Sequence, residues 1–190
     1  TPLYSSAASD VYKRQLFNKI KSLGGIPIMW KTGHSYIKYK MKKSGALLAG
    51  EMSGHIFFAD DYYGYDDAIY VAARIVQTLS RTKKTLSELK AELPVYYSTP
   101  EIRLEAESDE EKFRIAKEAI EYFIANYDCS TVDGVRIKFD DGWGLVRSSN
   151  TQPVIVCRFE ANTVDKMEEI QSIIMNKLQE IGSLKLDAGH

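Results

Sequence analysis

The feature that most constrains the fold of this chain is an interruption of its apolar pattern at residues 94–100. The segment contains two prolines and two tyrosines, lacks helical spacing, and is followed by a pattern unlike the one before it. A chain of 190 residues is long enough for two small domains with separate cores. We therefore predict one domain over residues 16–93, a hinge at 94–100 and a second domain over residues 101–190.

In the first predicted domain, short apolar runs alternate with segments of helical spacing. Strand-like runs occupy residues 26–30, 46–49 and 56–58. Helices are predicted to begin at Leu16, at Ser35, at Asp66 with Asp67, and at the capping box of Thr85 and Glu88. The apolar residues of the third of these helices fall on one stripe. Strands that alternate with helices predict an α/β layer domain.

The second predicted domain has a different order of elements. Residues 101–106 alternate like a strand, and Ser108 with Glu111 forms a capping box that begins a helix. Further strands, separated by turn signals, are predicted at residues 135–139, 143–146 and 154–159. Thr163 can cap a final helix. This order predicts an α+β sandwich.

The composition argues against several classes of function. A formal net charge of −1 gives no broad positive field for nucleic acid, and the basic run at residues 38–43 is typical of a solvated helix face. No apolar run approaches the ~20 residues of a membrane span, and no signal peptide is recognisable. Cys129 and Cys157 lack the spacing of a metal site or a redox pair. We therefore expect a cytoplasmic protein that binds neither nucleic acid nor membrane.

Residues 1–15 do not follow the pattern of the rest of the chain. They are small and polar and then read Asp-Val-Tyr-Lys-Arg-Gln, without a clear period. We expect this segment to be non-native or disordered, with a mobile native tail as the alternative. If it is non-native, the natural protein extends upstream of Leu16.

Residues 50–55, Gly-Glu-Met-Ser-Gly-His, form a polar loop that we call the Glu51 loop. Its glycines let the backbone approach a ligand closely. Glu51, Ser53 and His55 offer carboxylate acceptors, a hydroxyl and a ring nitrogen, a set that can bind the vicinal hydroxyls of a sugar. A polar turn between two strands, without any ligand, explains the same residues.

Residues 147–153, Arg-Ser-Ser-Asn-Thr-Gln-Pro, form a second polar loop that we call the Arg147 loop. Its composition suits a phosphate monoester, because arginine donates two parallel hydrogen bonds and the neutral donors fill the remaining oxygens. An ordinary hydrophilic hairpin is equally compatible. A third group, Lys31 and His34, stands at a predicted helix start, where a lone histidine is more often structural than functional.

Together these segments resemble a known family. The Glu51 loop is similar to the sugar-specificity loop of the bacterial phosphomannomutase/phosphoglucomutases, within the α-D-phosphohexomutase superfamily. The Arg147 loop is similar to the phosphate-binding loop of their last domain, and residues 29–35 also resemble the family sequence. The three motifs occur in the family's order, and the resemblance covers residues 16–181.

The resemblance implies a four-domain enzyme of which this chain is the carboxyl-terminal half. Residues 16–93 correspond to most of the third domain, a mixed-sheet α/β domain, and the later residues to a fourth, TATA-binding-protein-like domain. The residues implied to bind the sugar are Glu51, Ser53, His55 and His34, the last as an auxiliary residue near the substrate. The residues implied to hold the phosphate that is not transferred are Arg147, Ser149, Asn150 and Thr151.

The resemblance also implies a reaction that this chain cannot complete alone. In the family, a phosphoserine exchanges phosphoryl groups with a hexose phosphate through hexose 1,6-bisphosphate, and Mg²⁺ neutralises charge. The chain lacks the family's Ser-His-Asn-Pro serine loop and its Asp-Gly-Asp-x-Asp magnesium loop. We therefore expect no catalytic residue and no metal ligand here. Hexose phosphates and the missing amino-terminal domains are the expected partners, and the two loops are expected to face one cleft.

Two other identities stay open. Phosphoglucosamine mutases more often have glutamine where Met52 stands, so Met52 favours mannose and glucose phosphates without choosing between them. A stand-alone sugar-phosphate-binding module without catalysis has the same loops. A nucleic-acid binder is suggested only by the fold name of the last domain, and the near-neutral charge argues against it.

Overall fold

A computed structural model of the chain describes residues 6–8, 14–51, 53–149 and 152–186. The chain forms two compact units, Thr1–Pro94 and Val95–His190. Each unit has its own sheet and its own cluster of buried apolar residues. No helix of the described ranges combines the length and the hydropathy needed to cross a membrane.

The described part of the first unit consists of short strands and four helices. The strands are β1 (Ser6–Ala8), β2 (Pro27–Met29), β3 (Leu48–Gly50), β4 (Ile56–Phe58) and β5 (Tyr65–Asp66). The helices are α1 (Arg14–Ser22), α2 (His34–Ser44), α3 (Ala68–Ser80) and α4 (Leu86–Ala91).

The sheet of the first unit has the order β2-β1-β3-β4-β5. Strand β1 runs parallel to β2 and β3, whereas β3 with β4 and β4 with β5 are antiparallel. The mixed sheet confirms the predicted fold class. Strand β1 was not predicted, because residues 1–15 were expected to be non-native or disordered, whereas residues 6–8 pair with both β2 and β3 within the sheet. The sequence Ser-Ala-Ala has no apolar alternation by which a strand could be recognised.

Two of the predicted helix caps in the first unit are confirmed and one is wrong. The side chain of Asp67 caps α3, and Thr85 forms the capping box of α4. Ser35 does not cap α2, because the helix already begins at His34. The N-cap is Gly33, which has a φ of 129°, a value that favours glycine, and makes no side-chain cap.

The core of the first unit is small and lies where α2 packs on the sheet. Its buried residues are Ile37, Met41, Ala46, Ala49 and Phe57. Helix α3 contributes no buried residue, and Ile69 and Val76 on its predicted stripe are 85% and 66% exposed. The spacing therefore predicted the helix correctly, but the described residues of this unit leave the apolar face of α3 open to solvent.

The second unit contains two long helices and a larger sheet. The helices are α5 (Asp109–Asn126) and α6 (Val164–Ile181). The strands are β6 (Tyr97–Ser98), β7 (Ile102–Glu105), β8 (Cys129–Ser130), β9 (Val135–Lys138), β10 (Gly142–Ser148), β11 (Val154–Ala161) and β12 (Lys185–Leu186). The sheet has the order β12-β7-β11-β10-β9-β8, with β6 also paired to β11, and all its pairs are antiparallel. This is the predicted α+β arrangement.

The core of the second unit joins both helices to the sheet in one cluster. Ile115 and Phe123 of α5 and Ile174 of α6 are completely buried within it. Helix α6 comes close to β10 because Gly144 has no side chain, and a Cβ there would lie 2.2 Å from Cδ1 of Ile174. The Arg147 loop joins β10 to β11, the two longest strands of this sheet, so a well-packed scaffold carries it.

Candidate functional site

The Glu51 loop is the tight connection between β3 and β4. Gly50 and Ile56 are paired across the two strands, and the amide of Glu51 donates to the carbonyl of His55 at 2.8 Å. Gly54 has a φ of 95°, which turns the chain back toward Glu51. Residue 52 lies outside the described residues. A short hairpin of this kind presents its polar side chains at one end of the sheet.

The carboxylate of Glu51 connects its own loop to the start of α2. One oxygen accepts a hydrogen bond from the amide of Gly33 at 2.7 Å, and the other accepts from the hydroxyl of Ser53 at 3.1 Å. Glu51 is half-buried, whereas Ser53 is exposed. Since each carboxylate oxygen has a second acceptor position, Glu51 is held in place and can still bind a ligand hydroxyl.

Two histidines from separate segments share one carboxylate. His34, at the start of α2, has its Nε2 at 3.0 Å from Oδ2 of Asp66. His55, in the Glu51 loop, has its Nδ1 at 2.6 Å from the same oxygen. The other oxygen of Asp66 accepts from the amide of Ile56 at 3.1 Å. The side chains of both histidines are 43% exposed, and the two rings meet edge to face at 4.8 Å. The cluster is therefore fixed on its inner side and open on its outer side.

The carboxyl group of Asp66 remains ionised in this setting. Partial burial raises the pKa of Asp66. The hydrogen bonds from His55, from His34 and from the amide of Ile56 together lower it by more, so the net pKa lies below the ordinary value. An ionised carboxylate only accepts, so each ring nitrogen that faces it carries a proton. His34 Nδ1 and His55 Nε2 are the remaining ring positions, and in the neutral rings these nitrogens are hydrogen-bond acceptors.

The same three residues have the composition of a metal site. His34, His55 and Asp66 each offer a ligand atom, all within 4.8 Å of one another, and they form the one such group in the ranges described. However, the separations of 2.6 and 3.0 Å between nitrogen and oxygen are those of hydrogen bonds. As placed, the rings donate hydrogen bonds to the carboxylate.

Sequence reasoning did not find Asp66. It interpreted Asp66 as a helix-cap residue together with Asp67, and only Asp67 has that role. Asp66 belongs instead to β5, whose pairing with β4 brings it beside the Glu51 loop. Its position depends on strand register, which a two-residue strand does not reveal through periodicity.

The Arg147 loop lies between β10 and β11. Ser149 is buried, its amide donates to the carbonyl of Val154 at 2.9 Å, and its hydroxyl accepts from the amide of Gln152 at 3.3 Å. The side chain of Arg147 is 17% exposed, and its Nη2 lies 3.7 Å from a carboxylate oxygen of Glu101. Asn150 and Thr151 lie outside the described residues. The loop thus has fixed ends, with an arginine oriented by a neighbouring carboxylate.

A second residue that sequence reasoning missed is Lys112 on α5. Its side chain is 2% exposed, and its ammonium group donates to the carbonyls of Ser149 and Gln152, both at 3.0 Å. The only signal in the sequence was a lysine on the same helix face as Ala116 and Ala119. A lysine at such a position is normally interpreted as one that reaches solvent.

The structure therefore brings the predicted residues together within each unit. Glu51, Ser53, His55 and His34 form one polar group in the first unit. Arg147 and Ser149 belong to one loop of the second. The described fold consists of an α/β unit with a mixed sheet, followed by an α+β unit with an antiparallel sheet.

Comparison with known proteins identifies the family. Residues 6–97 match "Phosphoglucomutase/phosphomannomutase, alpha/beta/alpha domain III", and residues 101–177 match "Phosphoglucomutase/phosphomannomutase, C-terminal domain". The chain belongs to the phosphoglucomutase/phosphomannomutase family. The resemblance of the chain to this family is thereby confirmed.

Individual relatives agree with this assignment. A phosphomannomutase/phosphoglucomutase of Pseudomonas aeruginosa is 46% identical over 172 residues, covering 90% of this chain and 37% of that protein. A crystal structure of a phosphoglucomutase/phosphomannomutase family protein from Burkholderia thailandensis has a TM-score of 0.79 and 37% identity, covering 95% of this chain and 38% of its own. An N-acetylphosphoglucosamine mutase of Aspergillus fumigatus, solved with GlcNAc-6P and magnesium, shares the fold at a TM-score of 0.64 and 12% identity, covering 93% of this chain and 41% of its own. The chain therefore spans a little over a third of the length of the curated relatives it matches.

Proposed function

We propose that this chain is the sugar- and phosphate-binding part of a phosphomannomutase/phosphoglucomutase, an enzyme that interconverts the 1- and 6-phosphates of mannose and glucose. The observation that carries the proposal is the cluster of His34, Asp66 and His55 beside Glu51, in a chain 46% identical to such an enzyme. Half-exposed rings with open nitrogens and a fixed carboxylate suit the hydroxyls of a hexose.

In the proposed reaction, a phosphoserine of the whole enzyme gives its phosphoryl group to a hexose 1- or 6-phosphate, which forms hexose 1,6-bisphosphate. The bisphosphate then returns its other phosphoryl group to the serine. Each step forms one P–O bond and breaks another, so the net change is the position of the phosphate. Magnesium, when bound to the whole enzyme, supplies positive charge that neutralises the transferring group. The residues of this chain bind and orient the sugar phosphate during both steps.

The Glu51 loop and His34 take the sugar in this proposal. Glu51 keeps acceptor positions beyond its bonds to Gly33 and Ser53, and the exposed hydroxyl of Ser53 both donates and accepts. His55 and His34 present a ring nitrogen each, because Asp66 fixes the opposite nitrogen. This set offers donors and acceptors to neighbouring hydroxyls of the sugar, and it does not require the stereochemistry of either mannose or glucose.

The Arg147 loop takes the phosphate that is not transferred. Arg147 is suited to donate two hydrogen bonds to phosphate oxygens, and the carboxylate of Glu101 at 3.7 Å holds its orientation before a ligand arrives. Ser149, Asn150 and Thr151 are proposed to supply the neutral donors. A substrate that binds in two orientations needs a phosphate grip that serves either end, and a loop with a single arginine meets that need.

The chain alone is proposed to be inactive. It contains neither a Ser-His-Asn-Pro segment nor an Asp-Gly-Asp-x-Asp segment, so the nucleophile and the magnesium ligands belong to the remainder of the enzyme. Its partners are hexose phosphates and those further domains. We place the enzyme in the cytoplasm, since Cys129 and Cys157 are both free thiols, as expected in a reducing compartment.

The test is a nuclear magnetic resonance titration of the chain with glucose 1-phosphate and with mannose 1-phosphate at fixed ionic strength. Amides of both polar loops are expected to shift. Arg147→Ala is expected to weaken binding by about 10- to 150-fold, or ~1.5–3 kcal/mol, because a charge-assisted contact is lost.

The matched control is Arg114→Ala, which removes the same charge from the surface of α5, where the side chain is 43% exposed. The proposal fails if Arg147→Ala binds as tightly as the wild type, or if the shifts lie away from both loops. Turnover of mannose 1-phosphate by the chain with Mg²⁺ and hexose 1,6-bisphosphate would overturn the statement that it is inactive alone.

A further inference from the structure

The second unit buries a lysine, Lys112, whose hydrogen bonds among the described residues go to the Arg147 loop and to its own helix. Lys112 lies on the first turn of α5, and its side chain is only 2% exposed. Lysine is rarely buried to this extent, because removing an ammonium group from water is costly unless its donors are satisfied. The residue therefore calls for a structural or functional explanation.

The ammonium group of Lys112 has a partner for each of its three protons. It donates to the side chain of Asp109 at 2.7 Å, to the carbonyl of Ser149 at 3.0 Å and to the carbonyl of Gln152 at 3.0 Å. Hydrogen bonds from a charged donor are stronger than those between neutral groups. The desolvation of the ammonium group is thus offset by contacts with one short segment of the chain.

The two carbonyls lie on either side of the central part of the Arg147 loop. The carbonyl of Gln152 also accepts from the amide of Val154 at 2.8 Å, and the hydroxyl of Ser149 accepts from the amide of Gln152 at 3.3 Å. Lys112 is distant in sequence, by 37 residues from Ser149 and by 40 from Gln152. It joins the loop to α5, and so to the core of the unit.

We propose that Lys112 is a positioning residue that holds both ends of the Arg147 loop in the form that binds phosphate. The inference rests on the proposed function, because it assigns a role in phosphate binding to a residue that does not contact the phosphate. A loop fixed in advance loses less conformational entropy when the ligand binds, so fixing it raises affinity. Without the lysine, the carbonyls of Ser149 and Gln152 each lose one charged donor, and the loop samples other conformations.

Lys112→Met is the informative substitution, since methionine keeps an unbranched apolar side chain and removes the charge and the donors. Inorganic phosphate and glucose 1-phosphate are expected to bind about tenfold more weakly. Amide hydrogen exchange at Ser149 and Gln152 is expected to accelerate, while exchange in the core strands of the unit stays as in the wild type. The matched control is Lys117→Met on the same helix, where the side chain is 76% exposed and neither quantity should change.

The conservative variant separates positioning from general stability. Lys112→Gln keeps one donor group and is expected to fall between the wild type and Lys112→Met in both affinity and loop exchange. It also serves if Lys112→Met fails to fold, as judged by circular dichroism. All affinities are measured well below each variant's own unfolding temperature, so a change in stability alone does not move them.

The outcomes are distinct for the two proposals. The inference is overturned if amide hydrogen exchange in the Arg147 loop is unchanged in Lys112→Met. It is also overturned if exchange changes but the affinity for phosphate does not. In both cases the proposed function stands. If the wild-type chain binds no phosphate at this loop, but Lys112→Met still loosens it, the proposed function fails and Lys112 is only a structural brace. Loss of both protection and affinity, with Lys117→Met unaffected, supports the inference.

Discussion

The two units are stabilised to very different degrees by their own described residues. The first has a small buried core centred on Phe57 and an α3 helix without a buried residue. The second packs α5 and α6 onto a continuous antiparallel sheet, with Phe123, Phe159 and Ile174 fully buried. Because the free energy of unfolding depends mainly on apolar burial, we expect the second unit to be much the more stable of the two. The Arg147 loop therefore belongs to the unit that we expect to be the more stable.

Two tryptophans allow this difference to be measured. Trp30 lies in the first unit and Trp143, which is 1% exposed, lies in the second. Changing Trp30 to phenylalanine leaves Trp143 as a fluorescent reporter of the second unit, and Trp143→Phe does the reverse. Urea unfolding should then give a later transition from Trp143 than from Trp30.

The largest expected effect is the loss of core packing in Phe123→Ala. The free energy of unfolding of the second unit should fall by about 3–5 kcal/mol, because the change leaves a cavity between α5 and the sheet. Trp143 fluorescence in urea measures it. Phe113→Ala is the control, since Phe113 lies on the same helix and is 57% exposed. Equal losses in the two variants would show that α5 does not pack as described.

An intermediate effect is expected from Asp66→Asn in the first unit. The amide is a weaker acceptor for His34 and His55, so the unit should lose about 1–3 kcal/mol of stability. Trp30 fluorescence in urea is the measurement. Asp61→Asn, an exposed aspartate of the preceding loop, is the control and should be silent. If Asp66→Asn is as stable as the wild type, the hydrogen bonds of the histidine cluster do not contribute to the free energy of unfolding of this unit.

Asp66 also predicts a direction of pH dependence. Its pKa in the folded unit lies below the ordinary value of about 3.9, so the ionised form is favoured by folding. This contribution is fully present above pH ~3.9 and is lost as the pH falls through the folded pKa. Asp66→Asn should therefore reduce the acid sensitivity of the Trp30 transition below that pH, which a pH series of urea curves would detect.

The smallest expected effect concerns a helix cap. Thr163 accepts a hydrogen bond from the amide of Lys166 at the start of α6, and Thr163→Ala should cost about 1 kcal/mol. The Trp143 transition measures it, and Thr131→Ala at an exposed loop position is the control. A loss as large as that of Phe123→Ala would mean that α6 depends on its cap more than on its packing.

Local features of the fold could be predicted from the sequence because they depend on a few neighbouring residues. Asp67, Thr85, Ser108 and Thr163 all cap the helices for which they were predicted. The prediction that Ser35 caps α2 is wrong because Gly33 is the N-cap and Ser35 is already the second residue of the helix. Strand β1 was missed, since its three residues carry no apolar alternation.

The candidate site was predictable where its residues are contiguous, and His34 was added only through the resemblance to the family. The Glu51 loop and the Arg147 loop were recognised as short polar motifs. Asp66 and Lys112 were not, because their roles arise from contacts with residues far along the chain, such as His34 and Ser149. Nothing in a single sequence states which distant side chains meet, and a buried lysine looks the same in the sequence as an exposed one.

The adjacency of Asp66 and Asp67 has a mechanical consequence. Asp66 holds the two histidines, while Asp67 caps α3 through the amides of Ile69 and Tyr70. The two adjacent carboxylates therefore attach the histidine cluster and the start of α3 to the same point of the backbone.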